Sequence, residues 1–183
     1  MCVALLSTAT VSFAQTQEEK LREVSSAWEL TEDCRVAFCE EFVFPELDEA
    51  TLFERSVGYL HGTLGADCAL EMDRENGIIR ATSCFRNVYP ERKGIDSDKC
   101  VSVPYDLCIE IHSSDVKISV LLDRYDLPAA LAQESRSPLD WYPVNALGKK
   151  KVYGLDLFYQ TYKASESLFE VYPQYVSGLM SRF

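Results

Sequence analysis

The sequence predicts an α+β fold: a curved antiparallel sheet of about five strands with helices packed on one face, in the order strand, helix, hairpin, hairpin, helix. Three observations carry this prediction. From Val101 to Leu122 apolar residues recur at every second position on both sides of a short polar turn, the pattern of a hairpin with one dry face. From Leu155 to Leu179 they recur at gaps of three and four, the pattern of a helix with one buried stripe. Between them in character, an amphipathic stretch ending at Gly65 is followed by Asn76-Gly77, a pair suited to a tight hairpin turn. With 183 residues, 47% of them hydrophobic and 11% aromatic, the chain can bury the core of one ordinary domain.

The elements follow in order. Residues 1–14 carry no charge, run apolar through Val3, Leu5, Leu6 and Val11, and end Ser12-Phe13-Ala14, with small residues at −3 and −1 of a cleavage site after Ala14. They read as a secretory signal that lacks a Lys/Arg n-region, and the run is too short to span a bilayer. Cys2 precedes the apolar run, the wrong order for a lipid-attachment cysteine. Residues 15–34 are a polar lead-in or short helix, with Leu21, Val24 and Trp28 at helical spacing. Val36, Phe38, Phe42 and Phe44 share one parity over Arg35–Phe44, giving strand one, which Pro45 stops.

Asp48 caps a helix carrying Phe53, Val57, Leu60 and Leu64, and Gly65 ends it. Gly58, Gly62 and Gly65 lie inside or at the end of this helix, so they form no phosphate loop, which needs its glycines before the helix start. A two-residue turn at Asn76-Gly77 sets Asp73 against Arg80 and puts Cys68, Leu70 and Met72 on the face of Ile79, Ala81 and Phe85. That register argues against a Cys68–Cys84 bridge. A polar stretch from Asn87 to Lys99 reads as loop. In the second hairpin Val101, Val103, Tyr105, Leu107, Ile109 and Ile111 point to the core, Ser113 to Asp115 turn, and Val116, Ile118, Val120 and Leu122 resume. Pro104 is expected at a sheet edge or a bulge.

Residues 35–127 therefore form the α+β core, and 128–183 a loop plus a long C-terminal helix that completes the same domain. The loop carries Trp141, Tyr142 and Lys149-Lys150-Lys151, the last read as a solvated turn in so acidic a chain. In the helix, Leu155, Phe158, Tyr162, Ser165, Phe169, Tyr172, Val176 and Leu179 form the buried stripe, and Pro173 is expected to kink or split it.

The order "FPELDEATLFERSVGYLHGTLG", "EMDRENGIIRATS", "VPYDLCIEIHSSDVKISVLLDRYD" resembles a family of exported proteins of unknown function from Gram-negative gut bacteria, whose domain is similar in fold to the TATA-box-binding protein (TBP). The resemblance spans roughly residues 35–127, about half of the chain. It implies a TBP-like fold, an envelope or secreted location and a noncatalytic domain, and it brings no active residues with it. The six cysteines after Ala14 and the insert before Cys100 depart from the family pattern.

Composition narrows the function. A net charge of −11 opposes nonspecific binding to nucleic acid or to an anionic membrane, both of which require a basic face. Cys34, Cys39, Cys68, Cys84, Cys100 and Cys108 remain after cleavage, an even number compatible with disulfides in an oxidising space, and their irregular spacing fits no zinc ribbon or finger. No cofactor motif, nucleophile elbow, metalloprotease helix or calcium loop is present. His61 lies on the first helix without a ligand partner at helical spacing. Asp106, Cys108, Glu110 and His112 share the wet face of one strand, about 6.5–7 Å apart in sequence order.

Asp106, Glu110 and His112 are thus the ligand or metal candidates, and Trp141 and Tyr142 the candidate partner surface; no catalytic residue and no metal site is assigned. The reading is a secreted or periplasmic noncatalytic binding module that meets an unknown protein or small ligand, with no nucleic-acid partner and no transmembrane segment. Two alternatives stand beside it: a hydrolase or metal-dependent enzyme using the Asp106/Glu110/His112 face, and a structural component of an envelope assembly. A concave pocket holding those three residues with a convergent further group would favour the enzyme.

Overall fold

A computed structural model of the chain describes residues 16–66, 68–89, 100–127, 135–138 and 153–178. The signal reading of 1–14, Trp141, Tyr142, the triple lysine and Leu179 lie outside the described residues. The elements run α1 (Gln17–Val24), β1 (Glu29–Leu30), β2 (Val36–Val43), α2 (Glu49–Leu64), β3 (Leu70–Asp73), β4 (Ile78–Tyr89), β5 (Val101–His112), β6 (Asp115–Leu122), β7 (Tyr125–Asp126), β8 (Ser135–Arg136) and α3 (Tyr153–Val176). The strands are all antiparallel in the order β1-β2-β6-β5-β4-β3, with β7 on β5 and β8 on β7.

The α+β class and antiparallel sheet are as expected. The five expected strands are β2 to β6; β1, β7 and β8 are two-residue additions whose length gives no periodic signal. On β5 the six expected core residues are all buried, from Val101 to Ile111, and β6 adds Val116, Ile118, Val120 and Leu122. Helices α2 and α3 cover this face, and α1 packs on α3. Phe158 of α3 meets Phe38 edge-on at 5.4 Å, and Tyr172 meets Phe42 at 5.5 Å and Tyr59 of α2 at 5.1 Å. Each fully buried large side chain of this seam contributes roughly 1.5–3 kcal/mol by leaving water.

Local chemistry sets the ends. The Asp48 carboxylate accepts from Thr51 N to start α2, and Gly65 closes it at φ 104°. Thr16 and Glu19 form a reciprocal capping box at α1. The buried stripe of α2 is rotated from the expected one: Leu52, Ser56 and Tyr59 join Phe53 and Leu60, while Val57 and Leu64 are half-buried. The rotation follows from α3, which flanks α2 and offers Tyr172 and the Leu168 carbonyl to Ser56 and Tyr59.

Four further expectations are revised. The first hairpin turns through four residues, Arg74–Gly77, and pairs Asp73 with Ile78 and Glu71 with Arg80. The Asp73 carboxylate accepts from both the backbone N and the side-chain Nδ2 of Asn76, which closes the wider turn. Because the register moves by two, Leu70 and Met72 still share the face of Ile79 and Ala81. Pro104 lies in central β5 and not at an edge; of the two expected settings the bulge is the nearer, since the β4–β5 register shifts just beyond the neighbouring Phe85–Val103 pair. It sits where β5 changes partner from β6 to β7, and its carbonyl accepts from Asp123 N, so its missing N–H falls at that junction. Pro173 does not split α3, which runs on through it to Val176; β4 likewise continues past Asn87 to Tyr89 through a register shift.

Candidate functional site: the open face of the sheet

Alternation that sends one set of side chains under α2 and α3 sends the other set to the opposite side, where of the described helices only the last residue of α2, Leu64, reaches. There the sheet curves around a concavity of about 1100 Å³. Each strand adds its polar parity: Arg35 precedes β2, Glu71 comes from β3, Arg80 and Thr82 from β4, Asp106, Cys108 and Glu110 from β5, and Lys117 and Ser119 from β6. The register aligns them in rows, Cys39–Ser119–Cys108–Arg80–Glu71 being one.

Two of the three sequence candidates, Asp106 and Glu110, line this concavity; His112 does not. Both oxygens of Asp106 are occupied. Arg35 Nη1 donates to Oδ2 at 2.7 Å and Thr82 Oγ1 donates to Oδ1 at 2.9 Å. Arg35 also holds Asp33 through Nε at 2.8 Å, and the Asp106 contact pushes the guanidinium further up from its ordinary value. Asp106 therefore ties the entry of β2 to β5 and β4. Glu110 faces Lys117 across the β5–β6 ladder, while the Lys117 ammonium reaches Glu29 at 3.3 Å.

His112 stands exposed at the end of β5, opposite Asp115 and beside the Ser113–Ser114 turn. It is four strand residues from Cys108, about 13 Å at ~3.3 Å per residue, so the two form no nucleophile–base pair. The Cys108 thiol is pushed up, first by burial and then by Glu110. The Cys39 thiol, half-buried and bonded to Ser119 and Glu29, is pushed up to about 11, chiefly by burial. Both stay protonated near neutrality and are poor nucleophiles. Among the described residues no group of three His, Cys, Asp or Glu side chains could hold a metal, and no disulfide joins the cysteines. Among them, too, no helix is long and apolar enough to cross a membrane.

Sequence reasoning missed Arg35, Arg80, Thr82, Lys117 and Ser119 as part of one surface. The signal was present: each lies at the parity opposite the core stripe of its strand or of the residue pair leading into it. What the sequence lacks is the strand order that assembles those parities.

The arrangement defines an antiparallel sheet roofed on one side and bare on the other. No protein-family model matches the chain, and no curated protein matches it. Among solved structures it is similar to a DUF4468 family protein from Bacteroides ovatus ATCC 8483, with TM-score 0.66 and 15% identity over 82% of this chain and 91% of that one. It is also similar to a TBP-like protein from Parabacteroides distasonis ATCC 8503, with TM-score 0.64 and 12% identity over 81% of this chain and 96% of that one. The fold is TBP-like, as the sequence resemblance implies.

Proposed function

We propose that this chain is an exported, noncatalytic binding module whose bare sheet face takes a partner. The observation that carries the reading is the chemistry of that face. It is concave and large enough for a ligand or a protuberance of another protein, yet Asp106 is held across strands by Arg35 and Thr82, and Lys117 by Glu29. A catalytic site instead needs a nucleophile, a base and a third group converging within hydrogen-bond reach. His112, the one imidazole in the candidate set, lies outside the concavity, and Asp106 is fully engaged. The likeness to a TBP-like protein brings no nucleic-acid role, since a fold is not a function and this chain carries a net charge of −11.

Export is supported by the uncharged apolar run that ends at Ala14. The first described element begins at Gln17 with its cap at Thr16, so cleavage after Ala14 leaves every described element intact. A photo-crosslinking residue placed at Leu121, within the concavity, or at Ser167, on the exposed side of α3, tests both halves of the reading in the native host. The expected result is a mature chain beginning at Gln15 in the envelope or medium, with adducts from position 121 and not from 167. A chain that retains Met1 in the cytoplasm, or adducts from 167 alone, overturns it.

A further inference from the structure

One edge of the sheet is covered only in part. β1 pairs with β2 through Glu29–Ala37 and Leu30–Val36, and among the described residues no strand lies on that side of β2 beyond Ala37. Backbone direction identifies the groups left over. The Arg35 carbonyl accepts from Thr31 N on the β1 side, whereas Phe44 N donates to the Ser114 carbonyl on the β6 side. Residues of an antiparallel strand address their two neighbours alternately. Cys39, Glu41 and Val43 therefore turn N–H and C=O away from β6, and Val43 is 66% exposed. Five residues from Cys39 to Val43 give about 16 Å of vacant edge at ~3.3 Å per residue.

Beside this edge, between β2 and α3, runs a second cavity of about 610 Å³. Among the described residues only Glu29 lines both it and the concave face. Its walls are aromatic, with Phe42 from β2 and Tyr162 and Phe169 from α3, and Trp28 stands where β1 ends the vacancy. Among the described residues no Lys or Arg lines it. Lys163 holds Glu23 and Glu166, and Lys117 holds Glu29, whereas Glu40 and Glu170 on its rim, and Glu41 on the outer side of the edge, form no ion pair with any described residue.

We propose that this groove captures an extended basic segment of a partner protein by strand addition to β2. The added strand satisfies the outward amides and carbonyls of Cys39, Glu41 and Val43 and continues the sheet where β1 stops. Alternate side chains then enter the groove, where Lys or Arg stems lie over Phe42, Tyr162 and Phe169 and their heads reach Glu40 and Glu170. Glu41 also opposes a second copy of this chain, because antiparallel edge-to-edge pairing centred on it sets its carboxylate against that of Glu41 in the other copy. The site is distinct from the concave face and goes beyond the reading given for it.

The test uses the full chain as it is secreted, with blocked octapeptides of alternating Arg and Val or alternating Glu and Val, and residue-resolved amide exchange. The Arg-Val peptide is expected to slow exchange at Cys39, Glu41 and Val43 by at least about tenfold, and the Glu-Val peptide to leave it unchanged. Glu41→Pro removes an outward N–H without touching the β6 ladder and should abolish the protection. Glu40→Gln combined with Glu170→Gln, which leaves the backbone alone, should weaken Arg-Val binding about tenfold and covers the case in which the proline variant fails to fold. Protection that appears only on the concave face, equal binding of the acidic peptide, or slow exchange of the three amides in the protein alone through pairing of copies overturns the proposal.

Discussion

The Tyr172 hydroxyl lies 2.8 Å from Ser56 Oγ, both buried, at the seam where α3 meets α2 over the sheet. Ser56 in turn donates to the Leu52 carbonyl at 2.7 Å, so the phenol is the donor in the pair. Removing either partner has unequal consequences. Tyr172→Phe leaves Ser56 satisfied through Leu52 and should cost about 1 kcal/mol. Ser56→Ala leaves the phenol buried with no acceptor and should cost more, about 1–3 kcal/mol. Urea midpoints of the two variants at neutral pH check the order.

The same phenol makes stability pH-dependent. Burial pushes Tyr172 up to about 12, and Tyr59 and Tyr125 are also pushed up by burial. A phenol in the unfolded chain loses its proton near ~10. The unfolded state therefore releases protons first, and stability present below pH ~10 falls as pH rises toward the folded values. Unfolding free energy measured from pH 8 to 11 should be flat and then decline, and Tyr172→Phe should make the decline shallower.

Gly77 is fixed twice over. Its φ is +67°, and a Cβ placed there would lie 2.2 Å from the Ile111 carbonyl oxygen of β5. Gly77→Ala should cost more than about 2 kcal/mol, since the left-handed conformation alone costs roughly 1–2 and a backbone oxygen must also move. Gly65 also has positive φ, but nothing lies within 4 Å of its would-be Cβ. Gly65, at φ 104° and ψ 149°, lies close to a region almost confined to glycine, so Gly65→Ala meets backbone strain without a collision, and thermal melts of the pair set strain alone beside strain joined to collision.

How much of this is legible in the sequence depends on whether the physical cause is local. The stripe of β5 and the aromatic stripe of α3 were legible because burial on one face imposes a period on the residues themselves. The Asp48 cap and the Gly65 stop were legible because a capping carboxylate and a positive-φ glycine act locally on their own helix ends. The first hairpin was half legible: Asn76-Gly77 marks the turn, but the Asp73 carboxylate widens it to four residues by holding Asn76. The behaviour of Pro104 was not, because it depends on where β6 gives way to β7. Within the candidate site, Asp106 and Glu110 stood out as one strand's polar row, but Arg35 reaches Asp106 from 71 residues away in the chain, and only the strand order brings them together.

That contact carries a prediction of its own. Arg35 and Asp106 are partly exposed, at 31% and 42% of the side chain, so solvent screens their attraction. A double-mutant cycle with Arg35→Gln and Asp106→Asn should return a coupling below about 1 kcal/mol that shrinks further as salt is added.

The account rests on a sheet with one sealed and one bare face, and hydroxyl-radical footprinting of the folded chain, read by mass spectrometry, measures that directly. His112 and Cys108, both on the bare face, should oxidise readily, while Tyr105, Phe158 and Tyr172 stay protected until urea unfolds the chain. Oxidation of Phe158 and Tyr172 in the folded protein at the rate seen after unfolding, or protection of His112 and Cys108, would contradict it.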